Sequence, residues 1–253
     1  MDKTSNDAPT EEVASLHKRL AVLERAEYLN KLKLEDVYSL ALLNPLLGDL
    51  PFIPFTGASL RPFCLAHIVN DIVINGRKHI IEFGSGISTM VIGRLLKMNK
   101  LDSTLLSIEH DQAWVEVLNN LLAREDLHHC VKVACVPLAT SDLVLGANIW
   151  YDTAILEGNL SSAVFDMVIV DGPPAWETGK GKARYPALPF MYDKLSERCS
   201  VYLDDADRAG EREILALWQQ KFPLRFTLTG STLAFACRGE SFYTEPLVYS
   251  RPA

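Results

Sequence analysis

His79-Ile80-Ile81-Glu82-Phe83-Gly84-Ser85-Gly86-Ile87-Ser88-Thr89-Met90 is the stretch whose reading decides the fold. Ile80, Ile81 and Phe83 make a short apolar run that carries one acid, Glu82, and breaks at Gly84-Ser85-Gly86. Helix-like composition resumes from Ser88 to Leu96. A buried parallel strand feeding a glycine turn and a helix is how doubly wound α/β domains hold nucleotide-like ligands. Glycine suits the turn because a Cβ would keep the backbone away from a ligand. Ser88 and Thr89 offer hydroxyls to the unpaired N–H groups of the helix start. A nicotinamide-dinucleotide turn wants a third glycine at position 89, where Thr89 stands.

Working outward, residues 103–108 read as a second strand ending in Glu109-His110-Asp111. Glu109 lies 25 residues beyond Gly84, where a second parallel strand delivers its carboxyl end. An acid there accepts hydrogen bonds from both hydroxyls of a ribose. Asp111 suits another task, the start of an amphipathic helix over 114–122. His110 reads as an exposed loop histidine or as a ring stacked near a base. Residues 131–136 are a third strand, and 138–162 hold a helix and a loop with Trp150-Tyr151. Residues 165–171, FDMVIVD, are a fourth strand that puts Asp171 at the ligand edge. The Gly- and Lys-rich loop 176–186, with Lys180, Lys182 and Arg184, reads as a solvated stretch. Residues 187–198 read as helix, and 200–203 as a fifth strand ending in Asp204-Asp205. A helix over 211–221 follows, and 224–229 and 232–237 flank Gly230-Ser231 as an apolar hairpin.

Glu82 in its strand, followed by G-x-G and Ser-Thr, resembles the first motif of class I S-adenosylmethionine (SAM) dependent methyltransferases. The F-D-x-V-x-V-D of the fourth strand is similar to that family's fourth motif. Five parallel strands closed by an antiparallel hairpin are its plan, a Rossmann-like α/β sheet, and the resemblance runs over about residues 59–238. It implies SAM held by Glu82, Gly84, Ser85, Gly86, Ser88, Thr89, Glu109, His110 and Asp171, with Glu82 reaching the methionine amino group directly or through water. Asp171, Asp204 and Asp205 are similar to the acidic set of metal-dependent small-molecule and sugar O-methyltransferases, which implies Mg²⁺ on these three and O-methylation of a hydroxyl. The residues themselves leave another option open, a helix cap at Asp204-Asp205 neutralised by Arg208. Catechol-type enzymes carry a lysine three residues after the fourth-strand Asp, and here Pro174 replaces it, so the base is Asp171, His110 or a loop residue. The rival readings are a dinucleotide-dependent oxidoreductase and a non-catalytic partner-binding protein that retains the fold.

The 253 residues are 48% hydrophobic and 23% charged, ordinary for one large soluble domain. A net charge of −7 and the lack of a basic cluster argue against nucleic acid as the main partner. Five scattered cysteines with no C-x-x-C fit a reducing compartment, and the polar start lacks a secretion signal. The expected location is cytoplasmic. Residues 37–55 are apolar but too broken by Asn44, Pro45, Asp49, Pro51 and Pro54 to span a bilayer. Three regions are expected: a disordered tail over 1–10, a helical extension with a lid over 11–58, and the SAM-binding domain over 59–253. Within the extension, one helix spans 11–34 and a second helix or helix pair spans 37–50, with 52–59 as the lid. Val13, Leu16, Leu20 and Leu23 form two heptads of seam before Glu27 and Asn30 interrupt it. That seam packs either on its own domain or in a homodimer contact.

Overall fold

In the computed structural model, which describes residues 8–48, 50–160 and 164–246, β1 (His79–Phe83) lies in the middle of a seven-stranded sheet. β2 (Thr104–Glu109) and β3 (Val131–Cys135) extend it on one side, and β6 (Phe165–Val170) and β7 (Leu195–Leu203) on the other, all parallel. β9 (Leu233–Arg238) adds antiparallel to β7, and β8 (Thr227–Thr229) closes the edge antiparallel to β9. The expected parallel sheet with its closing hairpin is present. The chain reverses direction across the sheet between β1 and β6, which makes the carboxyl ends of these two strands the place where an open α/β sheet binds ligands.

Both faces are covered, which is why the strands read as near-continuous apolar runs. On one face α2 (Pro62–Asn75), α3 (Ile87–Met98) and α4 (Gln112–Arg124) pack with Ile80, Leu105, Met167 and Tyr202. On the other, α5 (Thr153–Leu160), α6 (Ala187–Met191) and α7 (Ala209–Lys221) pack with Ile81, Phe83, Val168 and Val201. An unexpected two-stranded ribbon, β4 (Leu138–Ala139) with β5 (Trp150–Tyr151), buries Trp150 and Tyr151 against Phe83.

Several boundaries differ from expectation. The fifth strand starts at Leu195, not Ser200. The stretch read as helix to Arg198 stops at Met191, passes through one 3-10 turn (Tyr192–Lys194) and becomes strand. Arg238, 42 residues on, donates from Nε to the Ser196 carbonyl at 3.1 Å and holds that backbone extended, a contact no local periodicity reveals. The last hairpin is shorter, since Leu224 to Phe226 form no strand.

One helix, α1 (Ala8–Leu47), replaces the expected two. Its prolines stand at its two ends, Pro9 in the first turn and Pro45 in the last, where a lost N–H does not interrupt a continuing helix. The buried Arg94 guanidinium fixes that end. It donates to the Leu46 and Pro51 carbonyls at 3.0 and 2.7 Å while forking onto Glu125 at 2.7 Å twice. Arg61 makes the second anchor, bonding Leu32 O at 2.9 Å, Asp36 at 3.1 Å and Gly230 O at 2.7 Å. Packing on the chain's own domain is therefore limited to the second half of α1, where Glu35, Ser39, Leu43 and Leu46 are buried. Residues 12–27 are exposed throughout. The expected tail falls largely on residues 1–7, outside the described residues.

Candidate active site

The hydrogen-bond ladder runs one step past each strand end and so gathers the site. Gly84 N donates to Ile108 O, Asp171 N to Phe83 O, and Asp204 N to Val170 O, at 2.9, 2.9 and 3.0 Å. Asp171 and Asp204 thus sit side by side at the ends of β6 and β7, next to the glycine turn after β1. Gly84 has φ +94°, and a Cβ on it would lie 2.8 Å from Gly172 N, so this turn and the one after β6 touch backbone to backbone. Gly86 is different: its φ is −172°, and a Cβ there would enter open space in the cavity.

That cavity, about 440 Å³, has two ends. At one, Gly84, Ser85, Gly86, Ser88, Glu109 and His110 line it with Trp114, the residue whose indole donates to Ser85 O at 2.9 Å. Glu109 accepts from Ser85 N at 3.1 Å, and from His110 N and Asp111 N at 2.7 and 3.0 Å. Its carboxylate also lies 2.7 Å from His110 Nδ1. Burial alone would raise Glu109, but the His110 ring and the two backbone donors outweigh it and hold its carboxyl below the ordinary value. Glu109 in turn raises His110. Asp111 caps α4, accepting from Ala113 N and Trp114 N, the structural task expected of it.

Glu82 and Thr89 do not line the cavity. Both are fully buried beneath the turn, with Glu82 accepting from Thr89 Oγ1 at 2.6 Å and Ser107 Oγ at 2.7 Å. Thr89 Oγ1 also takes Gly86 N at 3.0 Å, and Ser107 meets Ser85 Oγ at 2.6 Å. The strand acid is the root of a network that sets the turn. One of its oxygens, Oε1, is buried without a hydrogen-bond partner, and burial raises its pKa.

The other end holds Asp171, Asp204, Asp205, Tyr151, Trp176, Arg184 and Arg208. The three carboxylates each offer an oxygen within 4.8 Å of the others. Arg184, read from sequence as part of a solvated loop, is instead 3% exposed and stands among them. Its Nη1 lies 3.0 Å from Asp205 Oδ2 and bonds Asp204 O at 3.1 Å, and its Nη2 reaches Asp171 Oδ1 at 3.3 Å. Arg208 pairs with Asp205 at 2.8 Å, but the expected helix cap is absent: α7 starts at Ala209 with Arg208 at its N-cap position, and neither acid caps it. By donor type the three acids suit a hard cation, but a guanidinium already occupies the cluster. Buried Glu211 lies 3.9 Å from Arg184 Nη1, so two cations face four carboxylates. Burial, then the Asp205 charge, pushes Asp204 up to about 7, and burial with Asp204 drives Asp171 well above its ordinary value despite Arg184. Tyr151, also missed from sequence, presents to the same cavity a buried hydroxyl with no hydrogen-bond partner among the described residues. Nothing in its local pattern marks it, because a two-residue strand has no period to read.

Solved structures resemble this architecture over most of its length. A Staphylococcus aureus protein assigned as a caffeoyl-CoA O-methyltransferase aligns over 83% of this chain and 100% of its own, at 16% identity and a TM-score of 0.53. The O-methyltransferase TomG of Streptomyces achromogenes, involved in tomaymycin synthesis and solved with SAM, aligns over 81% and 96% at 18% identity and a TM-score of 0.53. A Bacillus cereus O-methyltransferase solved with SAH gives 81% and 90%, 16% and 0.51. The fold is that of the class I methyltransferases. No protein-family model matches the chain, and a search of curated proteins returns no match. Among the described residues, no helix of this methyltransferase fold is long and apolar enough to cross a membrane.

Proposed function

We propose that the chain is a SAM-dependent methyltransferase acting on a hydroxyl of a small molecule or sugar in a reducing cytoplasm. The observation that carries the reading is one cavity with a nucleotide-suited end and a proton-accepting end. The glycine turn, with open space at Gly86, and the charged Glu109 stand at one end, and a carboxylate whose pKa is about 7 stands at the other. The residues present fit SAM: Glu109 would take the ribose hydroxyls, Trp114 and His110 the base, and the Gly84–Ser88 backbone the methionine part, with Glu82 and Thr89 fixing that backbone from below. When bound, SAM supplies an already activated methyl group, so the protein's task is chiefly alignment and proton removal.

Asp204 is the base we favour, since a carboxyl with a pKa near the working pH accepts a hydroxyl proton efficiently. Asp171 shares the cluster, and Arg184 holds both acids in place. His110, the other candidate from sequence, lies with Glu109 at the far end and serves SAM instead. Pro54, Thr56, Gly57, Ala58 and Ser59 line the cavity from the expected lid segment, with Leu60 just beyond it, and we assign that segment to covering the acceptor. On the partner side we propose a small-molecule or sugar acceptor and self-association through α1. A second reading, Mg²⁺ on Asp171, Asp204 and Asp205, draws support from the 4.8 Å grouping but requires Arg184 to leave its place.

Isothermal titration with SAM tests the proposal, repeated with Glu109→Ala and with Mg²⁺ present. SAM binding that Glu109→Ala weakens is the expected result. A Mg²⁺ heat lost in Asp205→Ala would favour the metal reading over Arg184, and failure to bind SAM would overturn both.

A further inference from the structure

The first half of α1 is a helix with none of the described residues of its own chain against its apolar side. Val13, Leu16, Leu20 and Leu23 are 50, 55, 52 and 66% exposed. At about 1.5 Å per residue the exposed stretch over residues 12–27 extends more than 20 Å, and a free helix of that length is marginal in water without a partner. The seam does not end at the polar interruption. Counting in sevens from Val13 puts residues 13, 20, 27 and 34 at one core position, a, and 16, 23, 30 and 37 at the other, d. Leu34 and Val37 resume the pattern and are 58 and 61% exposed. The domain-facing residues of the same helix, Glu35, Ser39, Leu43 and Leu46, fall at positions b, f and c, on the opposite side. The domain therefore leaves the whole a/d stripe open.

The geometry points to a parallel, in-register, two-stranded coiled coil between the α1 helices of two copies of this chain. Charge decides the occupant. Residues 12–27 carry Glu12, Glu24 and Glu27 against Lys18, Arg19 and Arg25, a balance that offers no attraction to an anionic lipid surface. In a parallel dimer a g residue faces the e residue five positions on in the other strand, which sets Arg19 against Glu24 of the second copy, twice by symmetry. Antiparallel pairing fares worse. Centring the overlap on the four apolar layers brings Arg19 onto Arg19 of the second copy, and lengthening it to reach Val37 brings Arg19 onto Lys33 and Glu24 onto Glu24. Glu27 and Asn30 fix the register, since only the in-register parallel dimer pairs Asn30 with Asn30 rather than burying it against leucine. The Glu27 pair weakens that dimer. The two domains then sit on opposite outer sides of the helix pair with both cavities free.

Sedimentation velocity on the full chain across a dilution series tests this. The expected species has twice the 28.2 kDa chain mass. Leu20→Asp with Leu23→Asp should raise the dimer dissociation constant about 100-fold or more, with the Tm unchanged at dilutions where both proteins are monomers because neither residue touches the domain. Arg19→Glu should weaken the dimer and Glu24→Arg added to it should restore it, while Glu27→Leu should tighten it. Leu16→Cys under mild oxidation should cross-link to itself beyond the level of the unsubstituted chain. A monomer at every concentration, a dimer indifferent to the Leu20 and Leu23 changes, or no rescue by the charge swap would overturn the proposal. So would a monomer that floats with phosphatidylserine-containing vesicles, which would hand the seam to a lipid surface.

Discussion

Asp204→Asn should make this protein more stable at pH 8 and only about a third as much so at pH 5. The folded state raises Asp204 from its ordinary 3.8 to about 7, chiefly by burial and then by Asp205. At about 1.4 kcal/mol per pH unit the full displacement corresponds to about 4 kcal/mol. Its sign follows from proton binding. Between the two values the folded state holds a proton that the unfolded chain has released, so this group's contribution falls as pH rises and is fully lost above 7. At pH 5 about 1 of the 3 units has been spent, so the wild-type chain loses about 3 kcal/mol from this residue between pH 5 and pH 8. Asparagine keeps the shape and removes the charge, so the variant lacks that loss. For a chain of this size the full displacement of about 4 kcal/mol appears as a Tm advantage at pH 8 of about 8–16 °C, and about a third of that at pH 5.

The assay is differential scanning calorimetry of both proteins at pH 5, 6, 7 and 8 with EDTA present, compared as variant minus wild type so that carboxylates outside the cluster cancel. Activity on any acceptor should be lost in the same variant, because it lacks the proposed base. A site that is more stable without its working group is the expected mark of function held at a cost to stability. A Tm difference that is equal at pH 5 and pH 8, or negative at both, would refute the reasoning. Mg²⁺ adds a second arm. If it restores the wild-type Tm at pH 8 and leaves Asp204→Asn unmoved, a metal can take the position that Arg184 holds.

Arg184→Met should destabilise the fold by about 3–5 kcal/mol, because removing one partner of a buried ion cluster leaves the others uncompensated, and a urea titration would show it. Gly84→Ala should cost about 2–4 kcal/mol, since φ +94° strains alanine and the new methyl would press on Gly172 N. Gly86→Ala should leave the unfolding midpoint unchanged and weaken SAM binding at least tenfold by titration, because its extended backbone accepts alanine and the methyl enters cavity space. Tyr151→Phe should leave Tm unchanged, as the hydroxyl bonds nothing in the fold, while lowering kcat about tenfold with any acceptor found. A Tm loss in Tyr151→Phe equal to that of a buried hydrogen bond would contradict the placement of that hydroxyl.

The sheet was legible in the sequence because its strands are buried on both sides and bounded by glycine, proline and acids, so each declares itself locally. The glycine turn, Glu109 and the three aspartates were legible for the same reason: each stands within a residue or two of a strand's carboxyl end. What stayed hidden depends on contacts across the chain. Arg184 looks like one more cation in a Gly-Lys loop until Asp171, Asp204 and Asp205 close around it. Tyr151 reaches the cavity through a ribbon of two residues. Leu195 belongs to a strand because a guanidinium 43 residues away bonds its carbonyl. The local patterns could place three acids at one edge but not the cation that answers them, and on that cation turns the choice between a metal site and a proton-accepting one. With Arg184 and Arg208 in place, the cluster with buried Glu211 still carries excess negative charge, and a proton on Asp204 is the smallest thing that reduces it. That proton is the one a hydroxyl acceptor would supply.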